Sequence, residues 1–111
     1  MAILTLTEAT ALTAAALEKV GASTSAAQST AKALVYAEAQ GTASHGLSRV
    51  AQYAGHMGAG RVVGSAAATI IKQQGATAII DAADGFAFPA CDLAIQTAIN
   101  TARTQGIGLA A

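Results

Sequence analysis

The residues best suited to chemistry in this chain lie in one short stretch, Ser44-His45-Gly46-Leu47-Ser48-Arg49. An imidazole can carry a proton near neutral pH, and a guanidinium can hold a carboxylate with two parallel hydrogen bonds. His45 and Arg49 are four positions apart, so they would share one face if a helix began near Ser44, with that serine at or beside the N-cap. A lone Ser-His pair is more often a loop feature than a catalytic one, and the spacing to Arg49 strengthens the catalytic interpretation. The combination suits a small acidic substrate that gains or loses a proton on a heteroatom.

Other positions that could carry chemistry have simpler interpretations. The glycines of residues 58–64 lack the preceding strand and following helix of a dinucleotide-binding loop, and they indicate a helix end followed by a strand. His56 fits a surface position at that helix C-terminus. Cys91 is the only cysteine, which excludes an internal disulfide and a cysteine zinc cluster, and its neighbours predict a small core or semi-buried residue. No metal site is predicted.

Composition limits the class of protein. The 111 residues make one domain or part of one. Hydrophobic residues are 53% and charged residues only 11%, against roughly a quarter charged in an ordinary domain, so part of the surface is suited to contact with other protein. The net charge of zero predicts neither nucleic acid nor an anionic membrane as a partner. Without a membrane-spanning run or a signal-like start, a cytoplasmic protein is expected.

The first half of the chain predicts three helices. The first covers residues 8–20 and presents Leu12, Ala16 and Val20 at helical spacing. The second begins at a cap formed by Ser23 or Ser25 and ends near Gln40. Its apolar positions include Ala31, Leu34 and Val35. The third covers residues 46–57. These helices form a helical hairpin plus a third helix, within an N-terminal region of residues 1–60 that carries the Ser-His-Gly motif.

The second half predicts the beginning of a sheet. Residues 69–72 and 77–81 are β-branched runs around a turn, which is typical of a hairpin. Pro89 suits the first turn of a helix that reaches about Thr104, and residues 107–111 begin what reads as a buried strand. The fold class is therefore mixed α/β, with residues 61–111 as the truncated start of a mixed sheet. A chain that stops within a core strand predicts a fragment.

The sequence around the Ser-His pair resembles the malate/L-lactate dehydrogenase family, whose members include sulfolactate and ureidoglycolate dehydrogenases and the cyclic imino-acid reductases. The similarity covers nearly the whole chain, and the Ser-His-Gly-Leu-Ser-Arg-Val run is its most specific part. The segments that carry it are residues 38–50, 53, 59–62, 75–78, 84–86, 94–95 and 106–109.

The resemblance implies an NAD- or NADP-dependent enzyme with a cofactor domain unlike the Rossmann fold, usually a homodimer, that transfers a hydride to a 2-oxo acid. It implies that His45 carries the proton, that Ser44 is its hydrogen-bonded relay partner, and that Arg49 binds the substrate carboxylate. Family members are several-fold longer, so the resemblance also places the relay carboxylate and most of the cofactor site after Ala111, and implies an inactive fragment.

Two alternatives stay open at this point. One is an NADPH-dependent reductase of cyclic imino acids such as piperideine-2-carboxylate, which needs the same proton donor and carboxylate ligand. The other belongs to a different class, a non-catalytic, alanine-rich helical oligomerisation module.

Overall fold

The computed structural model describes all of residues 1–111 and has a mixed α/β architecture, as the sequence predicts. The helices are α1 (Leu6–Lys19), α2 (Thr24–Ala39), α3 (Arg49–Gly58) and α4 (Ala87–Gln105), with a short 3-10 helix over Ala43–His45 between α2 and α3. The strands are β1 (Thr69–Gln74), β2 (Thr77–Asp81) and β3 (Leu109–Ala110), in the sheet order β1-β2-β3. None of the helices combines the length and the hydropathy of a membrane-spanning segment.

Helices α1 and α2 form the predicted hairpin, and side-chain caps define where each begins. Thr5 and Glu8 form a capping box at the start of α1, so the helix begins at Leu6, two residues before the predicted start. Of the two predicted caps for α2, Ser23 is confirmed, because its hydroxyl accepts the Ala26 N–H at 3.3 Å.

The predicted buried face of α1 is wrong. Its buried residues are Ala9, Thr13, Ala14 and Leu17, whereas Leu12 is 63% exposed and Val20 is 46% exposed. Small side chains occupy several faces of this alanine-rich helix, so the helical spacing of Leu12, Ala16 and Val20 does not mark the buried face. On α2 the prediction is confirmed, since Ala31, Leu34 and Val35 are all buried.

The predicted third helix is also wrong at its start. Gly46 has φ −97° and ψ −140°, which is outside the helical range, and it separates the 3-10 turn from α3. The helix consequently begins at Arg49, with Ser48 at the N-cap. Ser44 is therefore not an α-helix N-cap, and His45 and Arg49 are not an i, i+4 pair on one α-helix.

The hairpin of β1 and β2 is confirmed, with a tight turn in which Gly75 has φ +53°. Strand β3 pairs parallel to β2, and α4 makes the connection between them. Helix α4 covers one face of the sheet, where Ala78 is buried and Gln73 donates to the Thr101 hydroxyl at 3.5 Å.

Two burial predictions in the second half are wrong. The terminal strand has only two residues. Leu109 pairs with the exposed Thr77, on the face of the sheet that α4 does not cover, and its side chain is consequently 64% exposed. Cys91, predicted as a core or semi-buried residue, is exposed on α4.

Candidate active site

The 3-10 turn after α2 carries Ser44 and His45. Gly41, with φ +79°, ends α2, and the Thr42 N–H donates back to the Ala37 carbonyl at 2.9 Å. The His45 N–H then donates to the Thr42 carbonyl at 2.9 Å, which closes the turn. Both side chains are consequently displayed to solvent.

The His45 ring has one engaged nitrogen and one free nitrogen. Its Nδ1 lies 3.0 Å from the Ser44 hydroxyl oxygen, in a hydrogen bond whose donor depends on the histidine tautomer. The other nitrogen, Nε2, has no hydrogen-bond partner in the chain. In either tautomer, Nε2 is therefore the atom available to exchange a proton with a ligand.

Arg49 approaches the same serine from the other side. Its Nε donates to the Ser44 carbonyl oxygen at 2.6 Å, and one terminal nitrogen donates to Gln52 Oε1 at 2.6 Å. Both partners are neutral, so the positive charge is not paired with a carboxylate. A guanidinium has five N–H donors, and the three that remain are at its terminal edge, where two parallel bonds to a carboxylate can form.

The structure thus brings together the three residues singled out from the sequence, although not through the predicted helical face. Ser44 is the shared contact, since its side chain meets His45 and its carbonyl meets Arg49. The geometry comes from a turn and a helix start placed in series.

Helix α3, which begins with Arg49, is held on the core by its apolar face. Val50, Tyr53 and Met57 pack against the cluster that contains Leu17 and Phe86. The Tyr53 and Phe86 ring centroids are 5.7 Å apart, a separation typical of a tilted aromatic pair. His56 lies in the last turn of α3, as predicted, and its ring is close to that of Tyr53. It is half-buried, whereas the sequence predicts a surface position.

Two further side chains make contacts around the turn that the sequence analysis does not predict. Glu38, in the last turn of α2, accepts the Leu47 N–H at 2.8 Å through Oε2. The Ser48 hydroxyl donates to the Ala43 carbonyl at 2.7 Å. Contacts between residues five and nine positions apart across an irregular turn follow no periodic pattern, so no sequence signal marks them.

The three principal cavities have volumes of about 320, 690 and 250 Å³. None of them is lined by Ser44, His45 or Arg49. The smallest of these is apolar and adjoins the site, because Glu38 and Leu47 form part of its wall together with Leu4, Leu6 and Val35. The candidate site is therefore an open surface in this chain, next to an apolar recess.

These residues form neither a cluster of metal ligands nor a Rossmann-type dinucleotide loop. No group of three or more His, Cys, Asp or Glu residues is placed to bind a metal ion. The β2-to-α4 loop is the one strand-to-helix connection, but its single glycine, Gly85, packs against Ala66, and Asp81 and Asp84 make the loop acidic. An acidic loop of this kind does not fit a pyrophosphate, which requires a glycine-rich turn of free N–H groups.

Comparison with known proteins gives consistent matches over this whole region. The sequence model of the malate/L-lactate dehydrogenase family matches residues 4–111. A (2R)-3-sulfolactate dehydrogenase (NADP⁺) from Chromohalobacter salexigens is 42% identical over 105 residues, which are 95% of this chain and 31% of that protein.

Solved structures agree with the sequence match. Δ1-Piperideine-2-carboxylate reductase from Pseudomonas syringae pv. tomato is 27% identical with a TM-score of 0.94, over 100% of this chain and 33% of that one. Sulfolactate dehydrogenase from Methanocaldococcus jannaschii is 30% identical with a TM-score of 0.90, over 98% of this chain and 32% of that one. The chain thus spans about a third of the length of these relatives. Because the family model covers nearly every residue, the chain belongs to the malate/L-lactate dehydrogenase family.

Proposed function

We propose that the protein containing these residues is an NAD(P)-dependent oxidoreductase that interconverts a 2-oxo acid and the corresponding 2-hydroxy acid, of the malate, lactate or sulfolactate type. The observation that carries the proposal is the contact of Ser44 with both the His45 ring and the Arg49 guanidinium. A proton carrier and a cationic group without a carboxylate partner are thereby held against the same residue. The similarity to two sulfolactate dehydrogenases supports the substrate class.

In this proposal Arg49 binds the substrate carboxylate. Its Nε and one terminal N–H are already committed to Ser44 and Gln52, which fixes the plane of the guanidinium. The free terminal edge then orients the acid through two parallel bonds, and this orientation determines where the neighbouring carbonyl carbon lies.

His45 supplies or removes the proton. During reduction the carbonyl carbon receives a hydride, which NAD(P)H supplies when bound, and the carbonyl oxygen takes the proton from His45 Nε2 to become a hydroxyl. During oxidation Nε2 accepts the hydroxyl proton. Ser44, at 3.0 Å from Nδ1, orients the ring and relays the proton between the histidine and its surroundings.

A second candidate reaction is the NADPH-dependent reduction of a cyclic imino acid. It is favoured by the TM-score of 0.94 to Δ1-piperideine-2-carboxylate reductase. The same residues would serve, because the substrate again has a carboxylate beside the carbon that receives the hydride. The nitrogen of the substrate ring, instead of a carbonyl oxygen, would then take the proton.

We also propose that the protein acts as a homodimer, the state that the family resemblance implies. Exposed apolar side chains such as Leu12, Ile71 and Leu109 provide surface that contact with other protein would cover. Sedimentation of the complete protein should give the mass of two chains. The protein concentration is tens of micromolar, on the order of concentrations at which exposed apolar surface matters. A stable monomer would contradict this part of the proposal.

The reaction is tested with the complete protein that includes residues 1–111. The oxidation of NADH and of NADPH is followed by nicotinamide absorbance with oxaloacetate, pyruvate, 3-sulfopyruvate and Δ1-piperideine-2-carboxylate. The main proposal expects the highest kcat/KM with one of the three 2-oxo acids, and the second candidate expects it with the imino acid. If none of the four substrates oxidises either cofactor, both reactions are excluded.

A further inference from the structure

We propose that Glu38 is a positioning residue, whose carboxylate holds the link between the 3-10 turn and α3 and so fixes His45 relative to Arg49. Its consequence for catalysis rests on the proposed function. The structural part of the inference does not, because it concerns the contacts of one half-buried carboxylate with the chain itself.

The carboxylate contacts both residues of the link. Glu38 Oε2 accepts the Leu47 N–H at 2.8 Å. Gly46 is buried directly against the same side chain, and a Cβ added there would overlap Oε2 and lie 3.1 Å from Glu38 Cα and Cβ. While Glu38 remains in place, position 46 therefore has room for no residue larger than glycine.

Helix α3 has no side-chain cap of its own, and the N–H groups of Arg49 and Val50 donate to the Gly46 and Leu47 carbonyls at 3.0 and 3.1 Å. Ser48 is at the N-cap position, yet its side chain makes no cap hydrogen bond and donates to the Ala43 carbonyl instead. The first turn of α3 also contains no acidic residue. The N-terminal end of a helix attracts negative charge, and Glu38 places a carboxylate beside that end, where it accepts the N–H of Leu47, the residue before the N-cap.

The position of His45 depends on this contact because the turn is closed from both sides. The α2 side is held by backbone hydrogen bonds, from Thr42 to Ala37 and from His45 to Thr42. On the α3 side, the backbone bonds from Arg49 to Gly46 and from Val50 to Leu47 join the link to α3, and the Ser48 and Arg49 side chains reach only residues of the turn. The Leu47–Glu38 bond is the one that ties the backbone of the link to a helix of the core.

The test compares Glu38→Ala, which removes the acceptor, with Glu38→Gln, which keeps an oxygen at the same reach but has no charge. Glu18→Ala is the matched control, since Glu18 is an exposed acidic residue of α1 whose side chain makes no hydrogen bond. If Glu38→Ala does not fold, Glu38→Asp replaces it, because the carboxylate is then one methylene short of Leu47.

The first readout is hydrogen exchange of the Leu47 amide by NMR, without substrate. Glu38→Ala should speed exchange by roughly tenfold or more, the order expected for a lost hydrogen bond to a charged acceptor, and should shift the His45 ring nitrogen resonances. Glu38→Gln should remain within about threefold of the wild type, and Glu18→Ala should change neither signal. Unchanged Leu47 exchange in Glu38→Ala overturns the inference whether or not the protein is an enzyme.

The second readout is steady-state turnover of the complete protein with its best 2-oxo or imino acid. Glu38→Ala should lower kcat/KM by roughly ten- to a hundredfold, an effect expected from misplaced reacting groups, and Glu38→Gln should restore most of it. Faster Leu47 exchange with unchanged kcat/KM would overturn the positioning role. A wild-type protein without turnover would refute the proposed function, and the exchange and resonance shifts would still decide the structural part.

Discussion

Gly46→Ala gives a quantitative test of the close packing around the Ser-His turn. The added methyl group meets Glu38 at three atoms. The Oε2 atom can move aside, but Glu38 Cα and Cβ, at 3.1 Å, are fixed by α2. We therefore expect both an overpacking cost of about 1–3 kcal/mol and loss of the Leu47–Glu38 hydrogen bond.

The two costs are not additive, because rotation of the carboxylate relieves part of the overlap at the expense of the hydrogen bond. The Glu38 side chain is half-buried, so water can partly replace the lost hydrogen bond and limit its cost. The free energy of unfolding should thus fall by about 1–3 kcal/mol. For a domain of this size each kcal/mol lowers the melting temperature by about 4 °C, so a decrease of roughly 4–12 °C is expected.

Gly55→Ala is the matched control, on the same helix that follows the turn. A Cβ at Gly55 meets nothing within 4 Å, so the substitution should stabilise the chain by about 0.5–1 kcal/mol through improved helix propensity. Urea unfolding of both variants measures the difference. The double variant Gly46→Ala/Glu38→Ala should lose less stability than the sum of the single variants, since their side chains share one space. A Gly46→Ala variant as stable as the wild type would refute the packing argument.

Three further predictions concern a buried hydroxyl, a helix cap and the proton carrier. Thr30→Val should raise the free energy of unfolding by about 1 kcal/mol, because the fully buried Thr30 hydroxyl has no partner; Thr97→Val, whose hydroxyl donates to a backbone carbonyl at 2.7 Å, should show no gain in the same urea titration. The backbone and side-chain hydrogen bonds of Thr5 lower the pKa of Glu8 below its ordinary value. Its stabilisation is therefore present above the ordinary glutamate range and is lost as the pH falls through the lowered pKa, so the melting temperature should fall more steeply with acid in the wild type than in Glu8→Ala. His45→Ala should lower turnover by roughly 10²–10⁴-fold, with His56→Ala as the histidine control, and a loss below about threefold would argue against His45 as the proton carrier.

Much of the architecture can be predicted from local chemistry. The β-branched runs on either side of Gly75 predict the hairpin, and Ser23 and Gly41 mark the ends of α2. These features depend on backbone preferences and on side chains within a few residues, which a sequence displays directly. The three candidate site residues, Ser44, His45 and Arg49, can be selected from the sequence for the same reason, since they lie within one short segment.

The remaining features depend on contacts that the sequence does not display. A helical pattern continues through Gly46, and the break at that residue is accompanied by a contact from another helix, the bond from the Leu47 N–H to the Glu38 carboxylate. Leu12 and Leu109 are apolar, yet both are exposed, because apolarity does not reveal whether another element covers a residue. The relation between His45 and Arg49 was therefore predicted in the right place with the wrong geometry.

The most direct test of the proposed site compares a 2-oxo acid with its amide, which keeps the reacting carbonyl and removes the negative charge. The complete wild-type protein should strongly prefer the acid. Arg49→Ala should lose about 2–5 kcal/mol in kcat/KM for the acid if the ligand is held away from water, while the amide is little affected, so the preference collapses. Arg49→Lys should keep part of the binding but lose turnover, because an ammonium does not orient the acid.

Arg103→Ala is the control for this comparison. Arg103 is an exposed arginine in the last turn of α4, and Arg49 is in the first turn of α3. It should leave the acid-to-amide ratio of kcat/KM unchanged. The measurement to make is this ratio in the wild type, Arg49→Ala and Arg103→Ala under identical conditions. A ratio that falls towards one only in Arg49→Ala is the predicted result, and a ratio in Arg49→Ala equal to that of the wild type would contradict the assignment of Arg49 as the carboxylate ligand.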